Sequence, residues 1–228
     1  MESLKKTQVY LIRHAEAEGN LNNTFQGRTD APITERGRVQ IALLGERFRK
    51  IKLDAVYASP LQRAKNTAMA VAATQNLPVI EREGLLEIDG GAFEGKCWSE
   101  IPLLYPEEHD IWANRPYEFQ AIHGESMRTV YDRMKRAVAE IVRENAGGTV
   151  AVVSHGCAIR AYLCYAAGRP FSCVGEEGWA GLENTSVALL EYDDEGTPRI
   201  VYRGDASHLS EDTMTMHHQT WWKKEGEA

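Results

Sequence analysis

The sequence predicts an α/β fold: a three-layer sandwich with a mainly parallel sheet of about six strands, one antiparallel edge strand and helices on both faces. Three observations predict it. Short apolar runs alternate with stretches of helical periodicity, the pattern of strand–helix–strand units. Two of those runs, Val9-Tyr10-Leu11-Ile12 and Ala151-Val152-Val153, end abruptly in polar groups that contain a histidine, Arg13-His14 and Ser154-His155. The last two apolar runs are separated only by Asp193-Asp194-Glu195-Gly196-Thr197-Pro198, which suits an antiparallel hairpin or a looser turn at one sheet edge.

Strands are expected at 8–13, 54–58, 78–80, 149–153, 185–192 and 198–203. The first long helix starts from Thr34 as N-cap and carries Val39, Leu43, Leu44, Phe48 and Ile51 at helical spacing. A second, alanine-rich helix runs from about Leu61 to Gln75. A third, from Ser126 to about Arg143, places Val130, Met134, Val138 and Ile141 on one face, and Asn145 with Gly147-Gly148 stops it. A fourth follows Gly156 and ends near Gly168-Arg169-Pro170. Without internal repeat or linker, 1–228 reads as one domain, with 211–228 as a frayed tail. The segment 93–119 stands apart: within 27 residues it holds Phe93, Trp98, Tyr105, Trp112, Tyr117 and Phe119. Most of these are expected to pack a small satellite cluster. One or two would face a substrate, so 93–123 is read as a substrate-facing insertion.

A chain of 228 residues can bury a substantial core, and its net charge of −7 argues against nucleic acid or an anionic membrane as partner. No apolar run approaches a membrane span and Met1 to Thr7 is polar, so the expected location is cytoplasmic. Cys97, Cys157, Cys164 and Cys173 form no C-x-x-C pair and read mainly as reduced core thiols. Whether the chain forms a homodimer is left open by the sequence.

In open α/β sheets the ligand crevice lies beyond the carboxyl ends of the strands. Arg13, His14, Arg63, Glu87 and His155 all fall at or just after such ends. Two arginines and two histidines there fit a phosphate, since the planar guanidinium fork matches its oxygens and helix N-termini add backbone donors. Any one of these residues alone is more often structural; their joint placement is the signal. His109, His123, His208, His217 and His218 show no ligand spacing, and no carboxylate cluster suited to a metal is evident.

These residues resemble the histidine phosphatase superfamily in its phosphoglycerate mutase-like branch. Arg13-His14-Ala15-Glu16-Ala17-Glu18-Gly19-Asn20 is similar to its R-H-G-E-[ST]-x-x-N signature. Phe25-Gln26-Gly27-Arg28-Thr29-Asp30, Ser59-Pro60-Leu61-Gln62-Arg63-Ala64, Leu86-Glu87-Ile88-Asp89, Gly124-Glu125-Ser126, Ser154-His155-Gly156 and Asn184-Thr185-Ser186 follow in the family's order. The resemblance implies that His14 takes the phosphoryl group as a phosphohistidine, while Arg13, Arg63 and His155 hold the phosphoryl oxygens. It implies that Glu87 protonates the leaving oxygen and then activates water. Asn20, Gln26, Gly27 and the Gly156 backbone are implied phosphate or substrate contacts. The chemistry agrees with this assignment: cations around His14 disfavour its imidazolium, and a backbone carbonyl on its other nitrogen would fix the tautomer. The mechanism calls for no metal and no cofactor. Three positions depart from the pattern. Ala15 stands for a glycine, which matters if that residue needs positive φ; Ala17 stands for Ser or Thr; Gly90 stands where an aromatic is common.

The leading reading is a metal-independent phosphomonoesterase, a histidine acid or broad-specificity phosphatase, acting on a small phosphorylated metabolite. The alternative enzyme is a cofactor-dependent phosphoglycerate mutase, which in the family carries a longer, more basic insert. Here 28 residues separate Gly95 from Gly124 and hold only Lys96 and Arg115 as fixed cations. A non-catalytic phosphate-binding or regulatory protein is the alternative of another class, and the intact reacting set argues against it.

Overall fold

The computed structural model describes residues 6–176 and 182–216. Six strands form one sheet: β1 (Thr7–Arg13), β2 (Ala55–Ala58), β3 (Val79–Glu81), β4 (Thr149–Ser154), β5 (Val187–Tyr192) and β6 (Pro198–Asp205), in the order β3-β2-β4-β1-β5-β6. β3, β2, β4 and β1 pair in parallel, whereas β5 pairs antiparallel with both β1 and β6. The antiparallel pairings are confined to the expected edge, where β5 runs against the others. The last connection is a hairpin: Asp193 Oδ1 accepts the amides of Glu195 (3.0 Å) and Thr197 (2.8 Å).

The alternation of side chains along the strands divides the core between two faces. Val9, Leu11, Val150 and Val152 pack on one side, and Ile12, Ala151 and Val153 on the other. The helices follow as α1 (Glu18–Leu21), α2 (Glu35–Phe48), α3 (Gln62–Ala73), α4 (Ile101–Leu104), α5 (Pro106–Asn114), α6 (Met127–Glu144) and α7 (Gly156–Ala166). α2 and α3 cover the second face through Leu44, Phe48, Ala64, Ala68 and Val71. α6 and α7 cover the first through Val130, Met134, Val138, Ile159 and Leu163. Thr34 and Ser126 cap α2 and α6, their side-chain oxygens accepting from Gly37 and Thr129 (both 3.0 Å). Thr34 is the cap the sequence marks, and Ser126 is where the sequence starts its third helix.

Two expectations need correction. The aromatics of 93–119 do not form a satellite cluster. Phe93 and Phe119 are buried in the same cluster as Val9 and Leu11, as is Phe25, whose ring lies 5.6 Å from Phe93. Residues 211–216 are not a frayed tail either: Thr215 is buried, its hydroxyl donating to Glu16 (2.9 Å), and Glu183 accepts the amides of Thr215 (2.8 Å) and Met216 (2.9 Å). The buried carboxylate of Glu16 and the partly buried one of Glu183 hold that short segment in place. The rest of the expected tail, with His217 and His218, lies outside the described residues. All four cysteines are unpaired; Cys164 and Cys173 are core thiols as read, while Cys97 and Cys157 are only half-buried. Among the described residues no helix is long and apolar enough to cross a membrane.

Candidate active site

Because β1, β4 and β2 run in parallel, their carboxyl ends meet at one edge of the sheet. The ladder continues one residue past each strand, with the His14 amide on Ser154 O (2.9 Å) and the Ser59 amide on Val153 O (3.0 Å). His14 and His155 therefore emerge side by side, ring centroids 5.0 Å apart. A cavity of about 190 Å³ opens there. Arg13, His14, Arg63 and Glu87 line it, as do Asn20, Gln26, Gly27 and Gly156. His155 is the exception: it is fully buried and does not line the cavity, its ring packing beside that of His14.

The His14 ring has one arrangement open to it. Its Nδ1 lies 2.7 Å from the Ala15 carbonyl, which can only accept, so Nδ1 carries the proton and Nε2 keeps its lone pair. Burial, and then Arg63 and Arg13, hold its pKa well below the usual value for histidine, so the ring is neutral. Its backbone is clamped as well. Asn184 Nδ2 donates to His14 O (2.8 Å), and the Thr185 amide reaches Arg13 O (3.1 Å) and His14 O (3.3 Å). Thr185 makes those bonds with φ at 58°, left-handed backbone that a β-branched residue adopts only when its surroundings force it. Its hydroxyl is held by His208 Nε2 at 3.1 Å.

Around His14 are nitrogen atoms in need of an acceptor. Arg13 donates through Nη1 to Leu182 O, and Arg63 donates to Gly27 O and Thr29 O (both 2.6 Å). The Nε of each arginine is buried without a partner. Burial lowers the Arg63 pKa to about 10, which leaves the guanidinium charged at neutral pH. His155 has its Nε2 on Ser59 Oγ (2.7 Å), and its Nδ1 is likewise unpartnered. Ser59 Oγ also takes the Leu61 amide (3.4 Å). When the Ser59 hydroxyl donates to Nε2, His155 Nδ1 carries the ring proton and is a third buried donor. Unsatisfied buried donors are costly, and a cluster of them marks a place for an anion.

Glu87 lies at the other side, against the first turn of α7. Its carboxylate accepts from Ile88 (2.9 Å), Cys157 (3.1 Å) and Ala158 (3.1 Å) amides. A Cβ at Gly156 would lie 3.7 Å from Arg13 Nε and 3.9 Å from Glu87 Oε2, so that glycine separates the cationic groups from the acid. Arg133 of α6 fixes Glu87 from behind: it donates to Glu87 O (2.8 Å) and pairs with Glu125 (3.0 Å). Burial alone would raise the Glu125 pKa, but the Arg133 fork outweighs it and holds Glu125 below the usual carboxylate range.

The three departures from the family pattern are sterically explained. Ala15 is not in the left-handed region, so a glycine is not required there. Ala17 is the extended N-cap of α1, where Asn20 Oδ1 takes its amide (3.1 Å), and it stands away from the cavity wall. A Cβ on Gly90 would lie 2.2 Å from the Phe25 ring, so the glycine lets Phe25 fill the space. Gly27 is needed for backbone reasons: its φ is +49° and a Cβ would fall 2.3 Å from Glu94 Oε1.

The far wall is apolar, made by Phe25, Trp98, Trp112, Leu182 and Met216. Of the insertion's six aromatics only the two tryptophans reach it. Arg133, Arg160, Leu182 and Met216 were not legible as site residues, because no strand end or motif marks them. Cys157 lines the cavity, but burial and then Glu87 push its thiol pKa well above the usual value.

A parallel sheet whose strand ends hold a neutral, oriented histidine among unpaired guanidinium nitrogens defines a phosphoryl-handling α/β protein. The chain belongs to the histidine phosphatase superfamily (branch 1), whose family model matches residues 9–206. It is 34% identical over 188 residues to phosphoserine phosphatase 1 of Hydrogenobacter thermophilus, covering 82% of this chain and 87% of that protein. It is 30% identical over 214 residues to a probable phosphoglycerate mutase GpmB of Salmonella paratyphi A, covering 89% and 94%. The structure of Bacillus stearothermophilus YhfR superposes with a TM-score of 0.84 at 33% identity, over 90% of this chain and all (100%) of that one.

Proposed function

We propose that the protein is a phosphomonoesterase that hydrolyses a small phosphorylated metabolite through a phosphohistidine on His14. The observation that carries this reading is the commitment of His14 Nδ1 to Ala15 O, which leaves Nε2 as a neutral nucleophile on the cavity wall. Nε2 attacks phosphorus as the P–O bond to the ester oxygen breaks, and Glu87 gives that oxygen its proton. The Glu87 carboxylate then takes a proton from water as the water oxygen attacks phosphorus and the P–N bond breaks, releasing phosphate and restoring His14. Arg13 Nε and Arg63 Nε are the donors for the phosphoryl oxygens, where transition-state charge resides, with His155 Nδ1 as the third.

The basic residues of the insertion support a phosphatase over a mutase. Arg115 is tied on the surface to Asp110 (3.1 Å) and Glu118 (3.0 Å), and Lys96 does not line the cavity. No cation from 93–123 therefore joins the described wall to hold a bisphosphate through the reversal a mutase needs. This reading treats 1–228 as one domain with 93–123 as its substrate-facing insertion, which the two cavity tryptophans support. Four unpaired cysteines suit a reducing, cytoplasmic setting. A homodimer is not needed, since one chain supplies the nucleophile, the acid and the phosphate donors.

Incubation with 3-phosphoglycerate, following phosphate release and 2-phosphoglycerate together, tests the choice. Phosphate release without isomer accumulation is expected; rapid isomerisation with little release would establish the mutase instead.

A further inference from the structure

Arg160 is the one cavity arginine that neither the sequence motifs nor the phosphate geometry uses. It projects from α7 one turn after Gly156, four residues on, and lines the same cavity as His14 and Glu87. Its Nε is buried without a partner. Arg13, Arg63 and Arg133 are each anchored by backbone carbonyls, and Arg133 by a carboxylate as well. Arg160 makes no hydrogen bond or ion pair among the described residues. Among the described residues the groups that act on its charge are the thiols of Cys157, Cys164 and Cys173, and burial pushes Cys157 and Cys164 above the ordinary thiol range, so neither offers a counter-charge. A guanidinium half-buried beside an apolar wall without a counter-ion is unfavourable unless a ligand supplies one.

We infer that Arg160 is a specificity-determining residue that binds a second anionic group of the substrate, a carboxylate carried on the same short skeleton as the phosphate. The substrate class is then the phosphomonoester of a small hydroxy acid. The inference rests on the phosphomonoesterase reading for its phosphate end and adds the other end. The placement agrees with it: Arg160 lies on α7 one turn beyond Gly156, and both line the cavity that holds His14. The chemistry agrees as well. A guanidinium binds a carboxylate with two parallel hydrogen bonds, and the wall beside it offers no competing acid among the described residues except Glu87. The cavity of about 190 Å³ falls below the range of roughly 300–1,000 Å³ typical of larger ligands, which favours a compact substrate.

The test compares 3-phosphoglycerate with glycerol 3-phosphate, which replaces the carboxylate by a neutral hydroxymethyl group. The wild-type protein is expected to prefer the acid by about tenfold or more in kcat/KM, carried by KM. In Arg160→Met that ratio collapses towards one, and Arg160→Lys restores part of it. A wild-type ratio near one, or an Arg160→Met variant that slows both substrates equally and keeps the preference, overturns the inference. Calorimetric binding of the same two compounds to His14→Ala, with and without Arg160→Met, gives the comparison without turnover. Failure of the hydrolase reading appears separately, as no phosphate release from either compound or from 4-nitrophenyl phosphate.

Discussion

At the phosphate end of the cavity, side chains arrive from the carboxyl ends of parallel strands or the turns after them, and backbone atoms pin them. His14 is held at its ring and its carbonyl, Arg63 by two carbonyls, and Glu87 by three amides. At the opposite end Phe25, Trp98 and Trp112 come from irregular segments and short helices and hold one another. Their rings are 5.2 to 5.8 Å apart, with Phe119 a further 4.9 Å from Trp112. The first end is directional and tolerates no displacement; the second is a matter of shape and buried area. Substitutions at the first should act on rate, and those at the second on binding and stability together.

The sharpest break in that contrast comes from Glu87→Gln. With an alkyl phosphate, kcat should fall by about 10²- to 10⁴-fold, because the leaving oxygen needs the proton. With 4-nitrophenyl phosphate the phenolate departs unaided, so a burst of nitrophenol should precede a slow steady state limited by dephosphorylation. Equal losses for both substrates, with no burst in stopped-flow, would remove Glu87 from its assigned role.

Trp112→Ala probes the other end. It should raise KM about tenfold with a smaller change in kcat, and cost about 3 kcal/mol in denaturant unfolding, the low end for loss of a large packed aromatic because Trp112 is half-buried. A loss confined to kcat would show that the wall aligns the reacting groups rather than shaping the cavity.

The two ends should also differ in their response to acid. Burial, followed by Arg63 and neighbouring charges, lowers the pKa of both His14 and His155 well below the ordinary value. In the unfolded chain each returns to about 6.5 and takes up protons below that pH. The unfolded state then binds more protons than the folded one. Stability present above about pH 6.5 is therefore lost as pH falls through the mildly acidic range. His208, lowered to about 4 by burial and then Arg47, adds to the same slope between about pH 6.5 and 4. Urea titrations across this range should show the slope in the wild type and in Trp112→Ala alike, and less of it in His155→Gln.

The smallest effect is expected at Ala15. Because that residue is outside the left-handed region, Ala15→Gly should leave activity unchanged and lower stability by about 1–2 kcal/mol, through the unfolded chain's added freedom and the loss of a buried methyl group. A gain in kcat would mean that the alanine constrains the nucleophile's loop.

The same contrast explains what could be read from the sequence. The strands, the cap at Thr34 and the phosphate end were legible because apolar runs, cap residues and strand-end histidines are local signals. The short helices α4 and α5 were not. α5 buries no residue, so it has no apolar stripe to read, and each begins with a proline in its first turn. Arg133 and Arg160 were missed because what distinguishes them is tertiary: one finds the Glu87 carbonyl, the other no partner among the described residues. The docking of 211–216 depends on Glu16 and Glu183, far away in sequence, and no composition rule points to it.

The central claim, that phosphate is transferred to His14, is tested most directly by trapping the enzyme during turnover. With a ³²P-labelled phosphomonoester and rapid alkaline quenching, label should appear on the peptide containing His14, survive base, disappear in mild acid, and be absent from His14→Ala. Turnover that proceeds with no label on that peptide, or hydrolysis that persists in His14→Ala, would contradict it.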